Sequence, residues 1–154
     1  MAIALTLQEF LDWEEIDYTI VRHAPTHSSL ATAHAAHIAP EKLAKTVVLC
    51  DEQGFVLVVV PASQHVDLER LRKIYNRRFS FANEREIEEL FYDCAQGAVP
   101  ALGEAYGFEV LVDERLEQCP DVYIEAGDHR ALIHVQGKDF KQLMSHAEHG
   151  HFSH

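Results

Sequence analysis

The chain has 154 residues, enough for one domain with its own hydrophobic core and no dependence on disulfides or metals. Hydrophobic residues make up 47% of it and charged residues 25%, which is typical of a globular protein. No apolar run approaches the roughly 20 residues of a membrane span. The net charge of −12, from 13 Lys and Arg against 25 Asp and Glu, argues against a general nucleic-acid binder, because phosphate contacts dominate such affinity.

The N-terminus and the cysteines predict a cytoplasmic protein. Met1 is not followed by a basic stretch, and acidic residues begin at Glu9, so no secretory signal is expected. Cys50, Cys94 and Cys119 are odd in number and widely spaced, without a Cys-x-x-Cys pair. This pattern does not form a disulfide framework and fits a reducing compartment.

The first part of the chain predicts a helix, a strand and a second helix. Thr6 is a candidate N-cap for a helix, with Glu9 three residues later. Residues 17–22 alternate well enough for a short strand, and the small residues of 28–37 favour a second helix. Pro40 then marks a break.

The clearest signal in the sequence is a β-hairpin. Residues 46–50 and 55–60 are β-branched, nearly continuous apolar runs, joined by a turn that contains Gly54. Because apolar residues occupy successive positions, both faces of this sheet are expected to be covered.

The second part of the chain mixes helices and strands. Asn83 is a predicted N-cap with Glu86 in the third helical position. The predicted helices are 67–75, 84–91 and 139–146, and the predicted strands are 109–112, 122–125 and 131–135. With no repeat or linker in the sequence, this order predicts one α/β (α+β) domain over residues 1–145, built around a central mixed sheet flanked by helices.

Residues 146–154 are expected to form a flexible, histidine-rich tail. They contain His146, His149, His151 and His154 beside Gly150. A metal site needs ligands that a second shell holds in place, so no metal site is predicted there. Cys94 is interpreted as a packed thiol at a helix end rather than a nucleophile.

Five of the thirteen basic residues lie within nine positions of one predicted helix and its end. They are Arg70, Arg72, Lys73, Arg77 and Arg78. They form either a solvated helix face or a local contact for an RNA backbone on an otherwise repelling surface. Composition does not choose between these two interpretations.

Two further features have both a structural and a functional interpretation. Lys45 stands at the entry of the first hairpin strand, where a lysine commonly extends its stem over apolar surface. Residues 94–103 hold Gly97, Pro100 and Gly103 directly after a helix. They form either a capped turn or a rigid loop whose bare backbone N–H groups face a ligand.

Several short segments of the chain form a pattern when they are taken in order. They are Ala44-Lys45-Thr46-Val47-Val48-Leu49, Pro61-Ala62, Val66-Asp67-Leu68, Gly97-Ala98-Val99-Pro100 and Val112-Asp113. In order and spacing, over roughly residues 15–145, this pattern resembles the YbaK/prolyl-tRNA-synthetase-associated editing domain family. The resemblance implies a partly barrel-like sheet and an aminoacyl-tRNA deacylase that acts in trans on mischarged tRNA.

The resemblance also implies roles for particular residues. Lys45 would meet the phosphate of the terminal adenosine or the ester. Gly97 and Ala98 would offer backbone N–H donors to the carbonyl under attack, while Val99 and Pro100 would line the aminoacyl pocket. His129, in Gly127-Asp128-His129-Arg130, resembles a histidine found near this site in part of the family. A turn histidine without a catalytic role explains it equally well.

The implied chemistry needs no cofactor and no Ser-His-Asp set. An aminoacyl ester is already activated, so its hydrolysis depends mainly on orientation and on stabilising the oxyanion. The expected partner is the acceptor end of a mischarged tRNA, which the protein either holds directly or receives from a synthetase, with no membrane partner. The alternative is a non-catalytic module of the same fold that binds an aminoacyl or nucleotide-like ligand or a synthetase. The amino acid removed stays open among alanine, cysteine, serine and threonine.

Overall fold

A computed structural model describes residues 3–95 and 98–154. Within these ranges one sheet of eight strands is flanked by six α-helices. The strands are β1 (Thr19–Arg22), β2 (Leu43–Asp51), β3 (Gly54–Pro61), β4 (Ser80–Phe81), β5 (Glu109–Asp113), β6 (Asp121–Glu125), β7 (Ala131–Gln136) and β8 (Glu148–Gly150). The helices are α1 (Leu5–Trp13), α2 (Ser29–Ala35), α3 (Leu68–Tyr75), α4 (Glu84–Leu90), α5 (Glu114–Glu117) and α6 (Gly137–Leu143), with short 3₁₀ helices at Pro40–Lys42 and Gly103–Tyr106. None of these helices is both long enough and apolar enough to span a bilayer.

The sheet is mixed and open. Its strand order is β1-β7-β6-β2-β3-β5-β8, and β4 pairs with β2 beside this path. The β2–β6, β3–β5 and β5–β8 pairs are parallel, and the others are antiparallel. The mixed α/β fold is therefore confirmed. In the described part of the chain β1 and β8 form separate edges, so the partly barrel-like sheet implied by the resemblance is not a closed barrel.

The predicted hairpin forms the centre of the sheet. β2 and β3 pair continuously from Ala44–Pro61 to Asp51–Gly54. Gly54 has a φ of 127°, which a residue with a side chain rarely adopts, so glycine is required where the chain leaves the turn. Val56 to Val60 are all buried, as expected for a strand covered on both faces.

Side-chain N-caps start four of the six helices in the described ranges, and one of the two predicted caps is among them. Asn83 and Glu86 form a reciprocal capping box at α4. The prediction fails at α1, which begins at Leu5 and has no N-cap hydrogen bond from its own first residues. Instead, the Asp93 carboxylate accepts a hydrogen bond from the Thr6 N–H at 3.1 Å, so a distant residue supplies the cap.

The two faces of the sheet differ in how their apolar residues are arranged. One face, called the α1–α6 face, carries a single continuous core in which Leu11 of α1 and Phe140 of α6 are fully buried. The opposite face, called the α2–α3 face, carries two separate clusters. One contains Ala33 of α2 with Leu43, and the other contains Leu71 of α3 with Phe152.

The C-terminal segment is part of the sheet, and the expectation of a flexible tail over 146–154 is wrong. β8 pairs in parallel with β5, and Phe152 is 2% exposed. The buried Asp113 carboxylate accepts hydrogen bonds from the Phe152 N–H at 2.9 Å and from the Ser153 hydroxyl at 2.7 Å. A buried carboxylate needs such donors, and the tail supplies them.

Candidate functional site

Lys45 lies between the two apolar clusters of the α2–α3 face. Its neighbours at alternate positions on β2 belong to different clusters, Leu43 to the α2 cluster and Val47 to the α3 cluster. Since alternate residues of a strand share a face, Lys45 interrupts that face with a charge. Its ammonium donates a hydrogen bond to the Gln64 carbonyl. Burial lowers the pKa of Lys45, and no described carboxylate forms an ion pair with it.

Glu125 adjoins Lys45 on the neighbouring parallel strand. The last paired residues of β2 and β6 are Ala44 and Ile124, so Lys45 and Glu125 occupy the next position on each strand. Glu125 lies on the α2–α3 face near Thr32 of α2, whose hydroxyl donates a hydrogen bond to the Ser28 carbonyl at 2.9 Å and acts to lower the pKa of Glu125. Burial, followed by the charge of Asp128, raises the pKa of Glu125 to about 7. We call Thr32, Lys45, Gln64 and Glu125 the polar strip.

The segment after α4 and the turn after β6 meet at the end of this strip. The Ala95 N–H donates a hydrogen bond to the Gly127 carbonyl at 2.6 Å. Gly127 has a φ of 111°, and a Cβ there would meet the Ala4 Cβ at 3.0 Å. The structure therefore brings the predicted aminoacyl loop next to the turn that carries His129.

His129 is held in an unusual backbone conformation. Its φ is 61°, in the left-handed region, and the Asp128 carboxylate fixes the turn by accepting from the Arg130 and Ala131 N–H groups at 2.8 and 3.0 Å. Such conformations in non-glycine residues concentrate at functional sites. This supports a role for His129 without defining one.

Of the two expected oxyanion donors, one is engaged and the other is not described. The Ala98 N–H donates to the Ala95 carbonyl at 3.0 Å, so in this conformation it does not face a ligand. The expected oxyanion role of Ala98 stays a prediction. Gly97 lies outside the described residues.

Val99 and Pro100 are buried. Val99 belongs to the continuous core of the α1–α6 face and lines a cavity of about 270 Å³ with Thr46 and Val48. Lys45 projects to the other face of β2. Lys45 is not among the residues that line this cavity.

The five basic residues divide into two groups. Arg77 is enclosed by the fold: it bonds both Asp51 carboxylate oxygens, at 2.6 and 2.7 Å, and lies over the Phe79 ring. Arg72 donates to the Phe79 carbonyl at 2.9 Å. The remaining three basic side chains are exposed, and they are Arg70, Lys73 and Arg78.

The cysteine and histidine alternatives have structural explanations. Burial raises the pKa of the Cys94 thiol to about 12, which removes its nucleophilic thiolate at neutral pH. His146 pairs with Glu104 at 2.7 Å and His149 with Glu117 at 2.6 Å. Within 3–95 and 98–154 no group of three His, Cys, Asp or Glu side chains is arranged to hold a metal ion.

The profile of the aminoacyl-tRNA editing domain family matches residues 23–143. The chain belongs to this family. The matched range contains Lys45, Glu125 and His129, so the polar strip and the adjoining turn lie within the editing domain. No curated protein matches the chain.

Solved structures share the fold at low sequence identity. A candidate trans-editing enzyme for prolyl-tRNA synthetase has a TM-score of 0.82 at 23% identity, over 98% of this chain and 96% of that one. The hypothetical protein APE2540 has a TM-score of 0.84 at 19% identity, over 97% and 99%. A candidate signal transduction protein from Marinobacter aquaeolei has a TM-score of 0.79 at 22% identity, and the match covers 97% of this chain but 30% of that one. At these identities the likeness establishes the fold.

Sequence reasoning missed Glu125 and Thr32. Glu125 ends an apolar strand two residues before Gly127, and that isolated charge was the available signal. Thr32 lies among alanines, and only the packing of α2 over β6 reveals its position.

Proposed function

We propose that this editing domain hydrolyses the ester of mischarged aminoacyl-tRNAs in trans, at the polar strip around Lys45. The observation that carries the proposal is a half-buried ammonium without a described ion pair, inside the range that matches the editing family. Along β2 the fold places this cation between the apolar side chains of Leu43 and Val47. Such a charge is available to an anionic or strongly polar ligand.

In this proposal Lys45 exchanges the Gln64 carbonyl for the substrate. Its ammonium contacts the phosphate of the terminal adenosine or the ester oxygen that becomes negative as water attacks. A fixed charge in a poorly solvated site stabilises that oxygen more strongly than water does. Donors from the backbone at Gly97, and the side chain of His129, complete the site in this proposal.

The acceptor end of the RNA is proposed to contact Arg70, Lys73 and Arg78. These exposed cations lie on and after α3, which packs on the same sheet face as Lys45. With a net charge of −12, the remaining surface repels RNA, so a local contact or delivery by a synthetase is required. The three free cysteines support placing the reaction in the cytoplasm.

Deacylation of Ala-, Cys-, Ser- and Thr-charged tRNAs by wild type and Lys45→Ala tests the proposal. We expect wild type to prefer one or two of these esters, and Lys45→Ala to lower kcat/KM for the preferred ester by at least about 100-fold. The melting temperature should stay close to that of wild type, because with the described residues Lys45 makes one hydrogen bond and no ion pair. Lys138→Ala, at an exposed lysine of α6, is the matched control. Wild-type rates in Lys45→Ala would exclude this mechanism.

A non-catalytic binding module is the second candidate. The internal hydrogen bond of Ala98 favours it, since this bond removes one of the two oxyanion donors that the enzyme requires. The module predicts binding of aminoacyl-adenosine analogues without turnover of any of the four esters. Measurable deacylation that depends on Lys45 would exclude it.

A further inference from the structure

Glu125 is a buried carboxyl group with unused bonding capacity. Its exposed fraction is 6%, and its Oε2 atom has no hydrogen-bond partner among residues 3–95 and 98–154. Isolated carboxylates are rarely buried because loss of hydration costs several kcal/mol unless a cation or several donors compensate. The rise in its pKa to about 7 is consistent with a missing cation.

The described residues around Glu125 do not supply that cation. The Lys45 ammonium is directed to the Gln64 carbonyl, and its pKa is shifted by burial alone. Asp128 adds negative charge near Glu125, and Thr32 offers only a hydroxyl. The site therefore has one cation and one carboxyl group side by side that do not neutralise each other.

An aminoacyl ester carries the complementary pair of groups. Its ester carbonyl is polar, and the carbonyl oxygen becomes negative during hydrolysis. Its α-ammonium nitrogen is a cation that lies two bonds, or about 2.5 Å, from the carbonyl carbon. Adjacent strands of a sheet lie about 4.8 Å apart, so groups on β2 and β6 can contact both ends of this short unit. Lys45 matches the ester or phosphate end, and Glu125 matches the ammonium end.

We propose that Glu125 binds the α-ammonium of the aminoacyl group and restricts the site to esters of free amino acids. This inference rests on the proposed function for its substrate. It assigns Glu125 a specificity role, since the carboxylate contacts the substrate without taking part in bond cleavage. N-acylated or α-hydroxy acyl esters lack the cation and leave the carboxyl group uncompensated.

The test compares alanyl-tRNA with lactyl-tRNA, in which a hydroxyl replaces the α-ammonium at nearly the same size. If another ester is preferred, its own α-hydroxy analogue replaces lactyl-tRNA. Each rate is divided by the uncatalysed hydrolysis rate of the same ester, because the ammonium itself accelerates hydrolysis. We expect wild type to favour the amino ester by about 10- to 100-fold, the range of a hydrogen bond between charged groups. Glu125→Gln should reduce this preference to within about threefold, and Glu52→Gln, at an exposed turn carboxylate, should keep it.

A binding measurement separates this inference from the proposed function. Alanyl and lactyl amides of 3′-amino-3′-deoxyadenosine resist hydrolysis, so calorimetry reports recognition alone. A preference for the alanyl amide that Glu125→Gln removes supports the inference even if no ester is turned over. The inference is overturned if wild type binds and hydrolyses both acyl groups equally. It is also overturned if Glu125→Gln keeps the preference that wild type shows for the alanyl group. Circular dichroism confirms that the variant is folded.

Discussion

The two faces of the central sheet use the same strands for different purposes. On the α1–α6 face, one continuous apolar core packs the helices that close the domain. On the α2–α3 face, the apolar residues form two clusters, and Lys45 and Glu125 lie between them. One apolar core therefore runs through the α1–α6 face, whereas polar side chains interrupt the apolar packing of the α2–α3 face.

The largest expected effect concerns the C-terminal segment, whose Phe152 packs into the α3 cluster of the α2–α3 face. Phe152→Ala should lower the free energy of unfolding by about 3–5 kcal/mol, because a fully packed aromatic ring is removed from the α3 cluster. Urea denaturation measures it. His154→Ala, at the exposed last residue, is the control and should change little. A similar stability for both variants would mean that the segment does not contribute to this face in solution.

A smaller effect concerns the cost of keeping Glu125 on this face. Its pKa is raised from the ordinary 4.5 to about 7, so the folded state holds the proton more tightly than the unfolded chain. The wild-type protein therefore loses stability as the pH rises from about 4.5 through 7, by up to about 3 kcal/mol. Because the glutamine of Glu125→Gln cannot ionise, the stability of this variant minus that of wild type should be larger at pH 8 than at pH 4. Thermal unfolding at both pH values measures the difference.

The outcome that would contradict this assignment is a stability difference between Glu125→Gln and wild type that stays constant with pH. Glu52→Gln controls for the general effect of removing one negative charge from an acidic protein. Its stability difference should vary much less with pH, because that residue is exposed in the hairpin turn.

The smallest effect separates the two neighbouring arginines beyond α3. Arg78→Ala should lower kcat/KM about two- to fivefold at low salt and converge with wild type at high salt, since exposed charges are screened. Arg77→Ala should instead lower the melting temperature, because it leaves the Asp51 carboxylate, which is 3% exposed, without its bidentate partner. Deacylation rates over a salt series and thermal unfolding check both. If the deacylation rate does not depend on salt and Arg78→Ala is as fast as wild type, the proposed RNA contact at Arg78 is excluded.

Local patterns predicted much of the fold. The β2–β3 hairpin follows from two β-branched runs around a glycine turn, and α4 follows from its capping box, because both signals depend on residues close in sequence. β4, α5 and β8 were not predicted. They are two to four residues long, and β8 is stabilised through its pairing with β5 and the burial of Phe152.

The candidate site was predicted less completely than the fold. Lys45 could be chosen from the sequence because a lysine in a family-like strand is a local feature. The hydrogen bond within the loop at Ala98 and the enclosure of Arg77 by Asp51 could not, because each depends on geometry that residue type does not determine.

The sequence by itself determined the apolar strands, the helix caps and the resemblance that leads to the editing family. The tertiary structure alone decided which polar residues share a face. Alternation along one strand specifies which side chains point together, while the register between β2 and β6 specifies that Lys45 lies beside Glu125. That register arises from packing between segments about eighty residues apart, which no short pattern encodes.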